Sequence, residues 1–182
     1  MSAQMQIVDE KASRYATATD YYRIFVEEMD SLYLLAFLLT ADKDIAEQSV
    51  VGGLGECIER IGVFLERARS WARRAIVKDA IRKIRPVRQE GANEFFGSTN
   101  APGTVGAINP FAFIASLRAF ERFVFVMSVL EGQPDEDCQS LLNCSRQDIV
   151  MARKAAMKLF GAATRRLEFD HQGLFIWSRI LN

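Results

Sequence analysis

The stretch that decides the fold is residues 134–160, which read PDEDCQSLLNCSRQDIVMARKAAMKLF. Pro134 suits the first turn of a helix, because its missing N–H is not needed there. Asn143 tolerates the left-handed conformation that a tight turn requires. Ser145 is a helix-capping residue, and Asp148 follows it at the spacing of a capping box. The pattern predicts two helices joined by a short turn, over residues 135–142 and 146–160.

The second of these helices has two different faces. An apolar stripe at helical spacing predicts the buried side, formed by Ile149, Ala152, Ala156 and Leu159. The opposite side exposes Arg146, Gln147, Val150, Arg153 and Lys154, so basic and amide groups lie early on the outer face of the helix. Arg and Gln side chains bond base edges in pairs, so this arrangement is typical of a DNA-reading helix-turn-helix. A plain helical hairpin packed on a core is the other interpretation.

Outward from this motif, the pattern indicates an all-α chain of two helical domains. Residues 86–110 are rich in Gly, Asn, Ser, Thr and Pro, and a stretch of that length inside one domain would be unusual. No segment alternates with period two, so no sheet is expected. The predicted organisation is a helical domain over 1–86, a flexible linker over 87–110 and a helix-turn-helix domain over 111–182.

Further helices are predicted from apolar spacing and capping residues. In the first domain we expect a helix from a cap at Asp20 to about Leu39 and a restart near Asp44. The three glycines at 52, 53 and 55 should weaken the second of these helices. The remaining predicted helices cover 57–65, 66–84, 111–130 and 172–181.

The formal net charge is zero, but the charges are unevenly distributed. Residues 1–66 and 89–137 are acidic (net −7 and −5), whereas 67–88 and 138–182 are basic (net +8 and +4). Residues 67–88 hold nine basic residues and one acidic residue. Such an excess favours an anionic partner such as nucleic acid, although a solvated helix face is the other interpretation.

Composition argues against several other classes. A single histidine, His171, is too few for a histidine metal cage or triad, so no metal, cofactor or catalytic residue is predicted. Three cysteines without a CxxC pair, Cys57, Cys138 and Cys144, indicate a reducing, cytoplasmic setting. A reactive cysteine with His171 as its base is the weakest alternative. The longest apolar run is residues 32–39, too short for a membrane span, and the first residues do not read as a signal peptide.

Three stretches in order resemble the small extracytoplasmic-function type of bacterial RNA polymerase sigma factor. They are SLYLLAFLLTADKDIAEQ (31–48), WARRAIVKDAIRKIRP (71–86) and FERFVFVMSVLEGQPDEDCQSLLNCSRQDIVMARKAAMKLF (120–160). The likeness spans about residues 20–160. It implies a promoter-recognition subunit without catalytic activity of its own, with promoter DNA, core RNA polymerase and an anti-sigma factor as partners.

The resemblance also implies site residues. The −35 element would be contacted by Arg146, Gln147, Val150, Arg153, Lys154 and Lys158. The −10 element would be contacted by Arg69, Trp71, Arg73, Arg74, Lys78, Arg82, Lys83 and Arg85, with Trp71 either stacking on a base or filling the core. Polymerase would contact Glu47, Gln48 and Val51. Val51 and Gly52 stand where the family carries a polar pair, which leaves open a sigma-like regulator that binds DNA or a protein partner without polymerase.

Overall fold

The computed structural model describes residues 14–60, 62–88 and 110–165, without the side chains of residues 110 and 162–165. All the regular elements in these ranges are helices, and the isolated bridge between Tyr15 and Phe64 does not extend into a strand. The chain divides into two compact units, Met1–Arg85 and Pro86–Asn182. Of the predicted linker, only its two ends lie within the described ranges, and the helix predicted over 172–181 lies outside them.

The first unit begins with two helices where the sequence predicted one. Helix α1 is Ala18–Glu27 and helix α2 is Met29–Thr40, with a break at Glu28. Thr17, not Asp20, is the N-cap of α1, and Asp20 completes a capping box from the third position of the helix. The prediction of one uninterrupted helix capped by Asp20 was therefore wrong.

Helix α3 is Lys43–Glu59, and its start follows the prediction closely. Ala41 ends α2 in the left-handed conformation, and the Asp42 carboxylate accepts from the Ile45 N–H at 2.9 Å to cap α3. The helix continues through all three glycines, so they do not interrupt it. The separate helix expected over 57–65 is also wrong, because α3 continues to Glu59 and the backbone is extended at Arg60 and Phe64. A 3₁₀ turn at Leu65–Arg67 then leads into helix α4, Ala68–Ile84.

The glycines of α3 let it approach α4 closely. A Cβ built on Gly53 would lie 2.7 Å from Ile76 Cγ1 and 3.0 Å from the Ile76 backbone N. A Cβ on Gly52 would lie 2.5 Å from an Asp79 carboxylate oxygen. Glycine is unfavourable inside a helix, but at this crossing it allows the two helices to pack closely. Fully buried alanines of α4 line the same core, at positions 68, 72, 75 and 80.

The second unit is built from helices α5 (Pro110–Ser116), α6 (Ala119–Phe125), α7 (Asp135–Leu142) and α8 (Arg146–Arg165). A π-helical turn, Val126–Leu130, extends α6. The single helix predicted over 111–130 is thus interrupted between α5 and α6. The core includes Phe113, Phe125 and Phe160, whose ring centroids lie 5.5–6.4 Å apart.

Candidate nucleic-acid interface

The turn between α7 and α8 is fixed by local bonds. Asn143 has φ 49°, and its N–H donates to the Gln139 carbonyl, which ends α7. The Ser145 N–H donates to the Asp148 carboxylate at 3.0 Å, and the Asp148 N–H donates to the Ser145 hydroxyl at 3.2 Å. Bonds from the Ser145 hydroxyl and N–H hold the pKa of Asp148 below its ordinary value. The predicted turn residue and capping pair are both confirmed, although Pro134 is the N-cap of α7 and not its first helical residue.

Helix α8 buries one face and exposes the other. Ile149, Ala152 and Ala156 are buried, while Leu159 is only half-buried. The exposed face carries five of the six residues predicted to contact the −35 element, namely Arg146, Gln147, Val150, Lys154 and Lys158. These side chains share one side of a helix whose start is rigidly capped, which is the geometry that a groove-reading helix needs.

Arg153 differs from its neighbours, because its guanidinium is bound within the unit. Nε donates to the Ser128 hydroxyl at 3.0 Å, and a terminal nitrogen donates to the Asp135 carboxylate. The side chain is 33% exposed, against 74% for Arg146. Arg153 therefore links α8 to the π-helical turn and to the start of α7, and its placement does not favour the predicted contact with base edges.

The basic helix α4 is largely neutralised by acids of its own unit. Arg69 forms ion pairs with Glu27 and Glu28 at the end of α1. Lys78 and Arg82 both bond the Glu56 carboxylate of α3, each at 3.0 Å. The expectation that this segment needs an outside partner for its charge is therefore wrong for these three cations.

A second acid, Asp79, forms ion pairs with the cations at the end of α4. Its buried carboxylate accepts from Arg82 at 2.9 Å and from Lys83. Burial disfavours the charged form of Glu56, but bonds from Lys78 and Arg82 outweigh it and lower the pKa of that carboxyl. Arg85, the left-handed residue that ends α4, is exposed.

Three other predicted residues of α4 lie closer to the core. Arg73 donates to the Ser31 hydroxyl at 2.8 Å and, like Arg74, is half-buried. Trp71 packs against the core cluster, and the Arg60 guanidinium lies 4.4 Å from its ring centroid. The Lys78 ammonium lies 5.1 Å from the same centroid. Cations over the ring support the core-filling alternative for Trp71 over base stacking.

The three residues predicted to contact polymerase share one exposed part of α3. Glu47, Gln48 and Val51 all face solvent, and Val51 is 70% exposed. Next to them, Gly52 faces the Asp79 carboxylate of α4, as its closest Cβ approach shows. The surface is accessible, but a side chain at position 52, where the resembled family carries a polar residue, would require the Asp79 carboxylate to shift.

The cysteines are poorly placed for reactivity. Cys57 and Cys138 are fully buried, and burial raises their thiol pKa to about 12 and about 11 respectively. Burial also raises the pKa of the half-buried Cys144. His171 lies outside the described residues. No cluster of three or more metal-ligating side chains occurs in 14–60, 62–88 and 110–165.

The sequence analysis missed four residues that bind the predicted site cations, two in each unit. Glu56 and Asp79 pair with α4, and Ser128 and Asp135 hold Arg153. Only the i,i+3 and i,i+4 spacing of Asp79 to Arg82 and Lys83 carried a signal in the sequence. The other pairs join residues 18 to 26 positions apart, and they depend on how helices pack.

No protein-family model, no curated protein and no solved structure matches the chain. Within the described part of the chain, none of the helices combines the length and apolar character needed to cross a membrane.

Proposed function

We propose that the protein binds duplex DNA through α8 and acts as a divergent sigma factor with two helical domains. The observation that carries the proposal is the capped turn of α7 and α8, beyond which Gln147, Val150 and Lys154 share an exposed helix face. Gln can pair with adenine, Val can contact a thymine methyl group, and Lys can neutralise a phosphate.

In this proposal the exposed face of α8 contacts DNA and the exposed surface of α3 contacts polymerase. Arg146, Gln147 and Val150 read base edges of a −35 element, and Lys154 and Lys158 contact phosphates. The exposed surface of Glu47, Gln48 and Val51 contacts core RNA polymerase. The chain catalyses no reaction, and binding energy alone selects the promoter.

The test starts from a randomised duplex pool, from which the full chain selects sequences by repeated binding. We expect an enriched motif whose affinity exceeds that of a scrambled duplex by at least about 10³-fold, as in specific DNA-binding proteins. Purified core polymerase should then initiate at that motif only with the chain present. Failure to enrich any sequence would contradict DNA reading by α8.

The pairing within α4 favours a second candidate, a sigma-like regulator that does not join polymerase. Its cations at 69, 78, 82 and 83 already have acidic partners. A Cβ at position 52 would lie 2.5 Å from an Asp79 carboxylate oxygen, so the polar pair of the family would require that carboxylate to move from Arg82 and Lys83. Such a regulator would bind DNA, or an anti-sigma-like protein, through the same helices.

A capture experiment with core polymerase separates the two candidates. If the sigma-factor proposal is right, the chain binds core polymerase and Val51→Glu weakens that binding. Val51 is 70% exposed, so the substitution should leave the melting temperature unchanged and serve as a surface probe. Sequence-specific DNA binding without capture of polymerase would support the regulator instead.

A further inference from the structure

The Arg153 guanidinium is held by two groups on different elements. Its Nε donates to the Ser128 hydroxyl, which in turn donates to the Val124 carbonyl at 2.7 Å. The hydroxyl proton is thereby used, and the oxygen lone pair is left to accept from Arg153. The other contact, with the Asp135 carboxylate, is charge-assisted and therefore the stronger of the two.

Asp135 faces a second arginine as well. Arg146 Nε, at the start of α8, lies 3.7 Å from a carboxylate oxygen of Asp135. The carboxylate is only 18% exposed and sits in the first turn of α7, where the positive end of the helix dipole stabilises negative charge. One acidic side chain thus engages two of the cations that the sequence predicted as DNA contacts.

We infer that Asp135 is a positioning residue for DNA reading, which withholds Arg153 from phosphates and engages Arg146 at the start of α8. The inference rests on the proposed DNA-binding function. A cation free to contact any phosphate adds affinity for every sequence alike, whereas Gln147 and Val150 add affinity only for matching bases. Asp135 therefore raises sequence discrimination by limiting non-specific attraction.

The first experiment compares Asp135→Asn with Glu136→Gln in the full chain. Both variants lose one negative charge from the first turn of α7, but Glu136 is exposed and has no ion pair among the described residues. With the selected and the scrambled duplex as probes, Asp135→Asn should steepen the salt dependence of binding by about one unit of log K per log salt. It should also lower the affinity ratio of the two duplexes several-fold. Asp135→Glu should restore both values.

Glu136→Gln should change the salt slope and the affinity ratio of the two duplexes by less than half of the change expected for Asp135→Asn. Equal effects of the two variants would show that only net charge matters, and would overturn the inference. An unchanged slope in Asp135→Asn would overturn it too.

The second experiment replaces the guanidinium with Arg153→Met, which keeps most of the apolar stem. We expect a lower melting temperature and an unchanged base preference at every position of the selected duplex. Loss of preference at one base pair would identify Arg153 as a base reader and overturn the inference.

Failure of the proposed function gives a different result. If the wild-type chain binds no duplex, the proposed function and the DNA role of Asp135 both fall. The melting temperatures of Asp135→Asn, Arg153→Met and the double variant then still report whether the two side chains are coupled. Binding by the wild type with unaltered behaviour of Asp135→Asn contradicts the role of Asp135 alone.

Discussion

Helices α4 and α8 are both basic in sequence, but they present their charge differently. On α4, acids from α1, α3 and α4 itself bind Arg69, Lys78, Arg82 and Lys83. On α8, Lys154 and Lys158 lie on the exposed face, while Asp135 binds Arg153 and lies near the more exposed Arg146. The comparison teaches that an excess of basic residues along a segment does not measure the charge available to a ligand, because the neutralising acids come from distant positions.

The largest effect on stability should come from a substitution that separates α3 from α4. The close packing of these two helices is what brings Glu56 to the cations of α4. Gly53→Ala places a Cβ 2.7 Å from Ile76 Cγ1 and about as close to its backbone, which cannot yield without moving a helix. We expect a loss of about 2 kcal/mol in the free energy of unfolding, measured by chemical denaturation.

Gly55→Ala in the same helix is the matched control. Apart from its chain neighbours and the backbone of its own helix, no atom of the described residues lies within 4 Å of a Cβ at that position. Alanine should therefore stabilise the helix by up to about 1 kcal/mol. If both substitutions stabilised the protein, close packing would not be the reason for the glycines.

The next effect is on the salt dependence of DNA binding, which should differ between exposed and ion-paired cations. Lys154→Ala should remove about one phosphate contact, which lowers the slope by about 0.9 and weakens binding roughly eightfold at 0.1 M salt. Arg82→Gln removes the same charge from α4, where Glu56 and Asp79 already bind it. Its slope for the duplex selected by the wild type should stay unchanged. A larger effect of Arg82→Gln than of Lys154→Ala would reverse the comparison.

The predictable part of the molecule is the part governed by neighbours in sequence. Asn143 and the pair Ser145 and Asp148 were identified correctly because turns and caps depend on side chains within three residues of the backbone that they satisfy. Most of the exposed and buried faces of α8 followed from helical periodicity for the same reason, but Arg153, predicted exposed, and Leu159, predicted buried, are both half-buried. The all-helical character of the described residues was likewise evident from the absence of alternation.

The errors concern contacts between elements. The glycines at 52 and 53 were interpreted by propensity, whereas a close crossing with α4 decides their structure. The pairing of Lys78 with Glu56 spans 22 positions, and that of Arg69 with Glu28 spans 41. Neither can be inferred without knowing which helices pack together. The break at Glu28, where no side chain caps α2, had no local signal either.

A smaller effect tests the neutralisation of α4 directly. Glu56→Gln removes the acid shared by Lys78 and Arg82, and should cost about 1 kcal/mol at pH 7, because Arg82 is more than half exposed and solvent screens its pair. Folding lowers the pKa of Glu56 from its ordinary value of 4.5, so its contribution is complete well above that pH and is lost as the pH falls through the lowered value.

Chemical denaturation at pH 7 and pH 3 measures this contribution. The difference between wild type and Glu56→Gln should be smaller at pH 3 than at pH 7. A difference that does not depend on pH would mean that the carboxylate charge is not what binds Lys78 and Arg82.

The smallest effect concerns Trp71, the residue that the sequence left between base stacking and core packing. Among the described residues its buried indole N–H has no hydrogen-bond partner, so Trp71→Phe removes an unsatisfied donor together with part of an apolar ring. The two changes oppose each other, and the free energy of unfolding should change by less than about 1 kcal/mol.

Binding to a duplex with an unpaired −10-like segment should stay the same within twofold, since Arg60 and Lys78 lie against the ring. A loss of tenfold or more, the scale of one base–aromatic stack, would place the indole in contact with DNA. That result would make α4 a nucleic-acid surface despite its internal ion pairs.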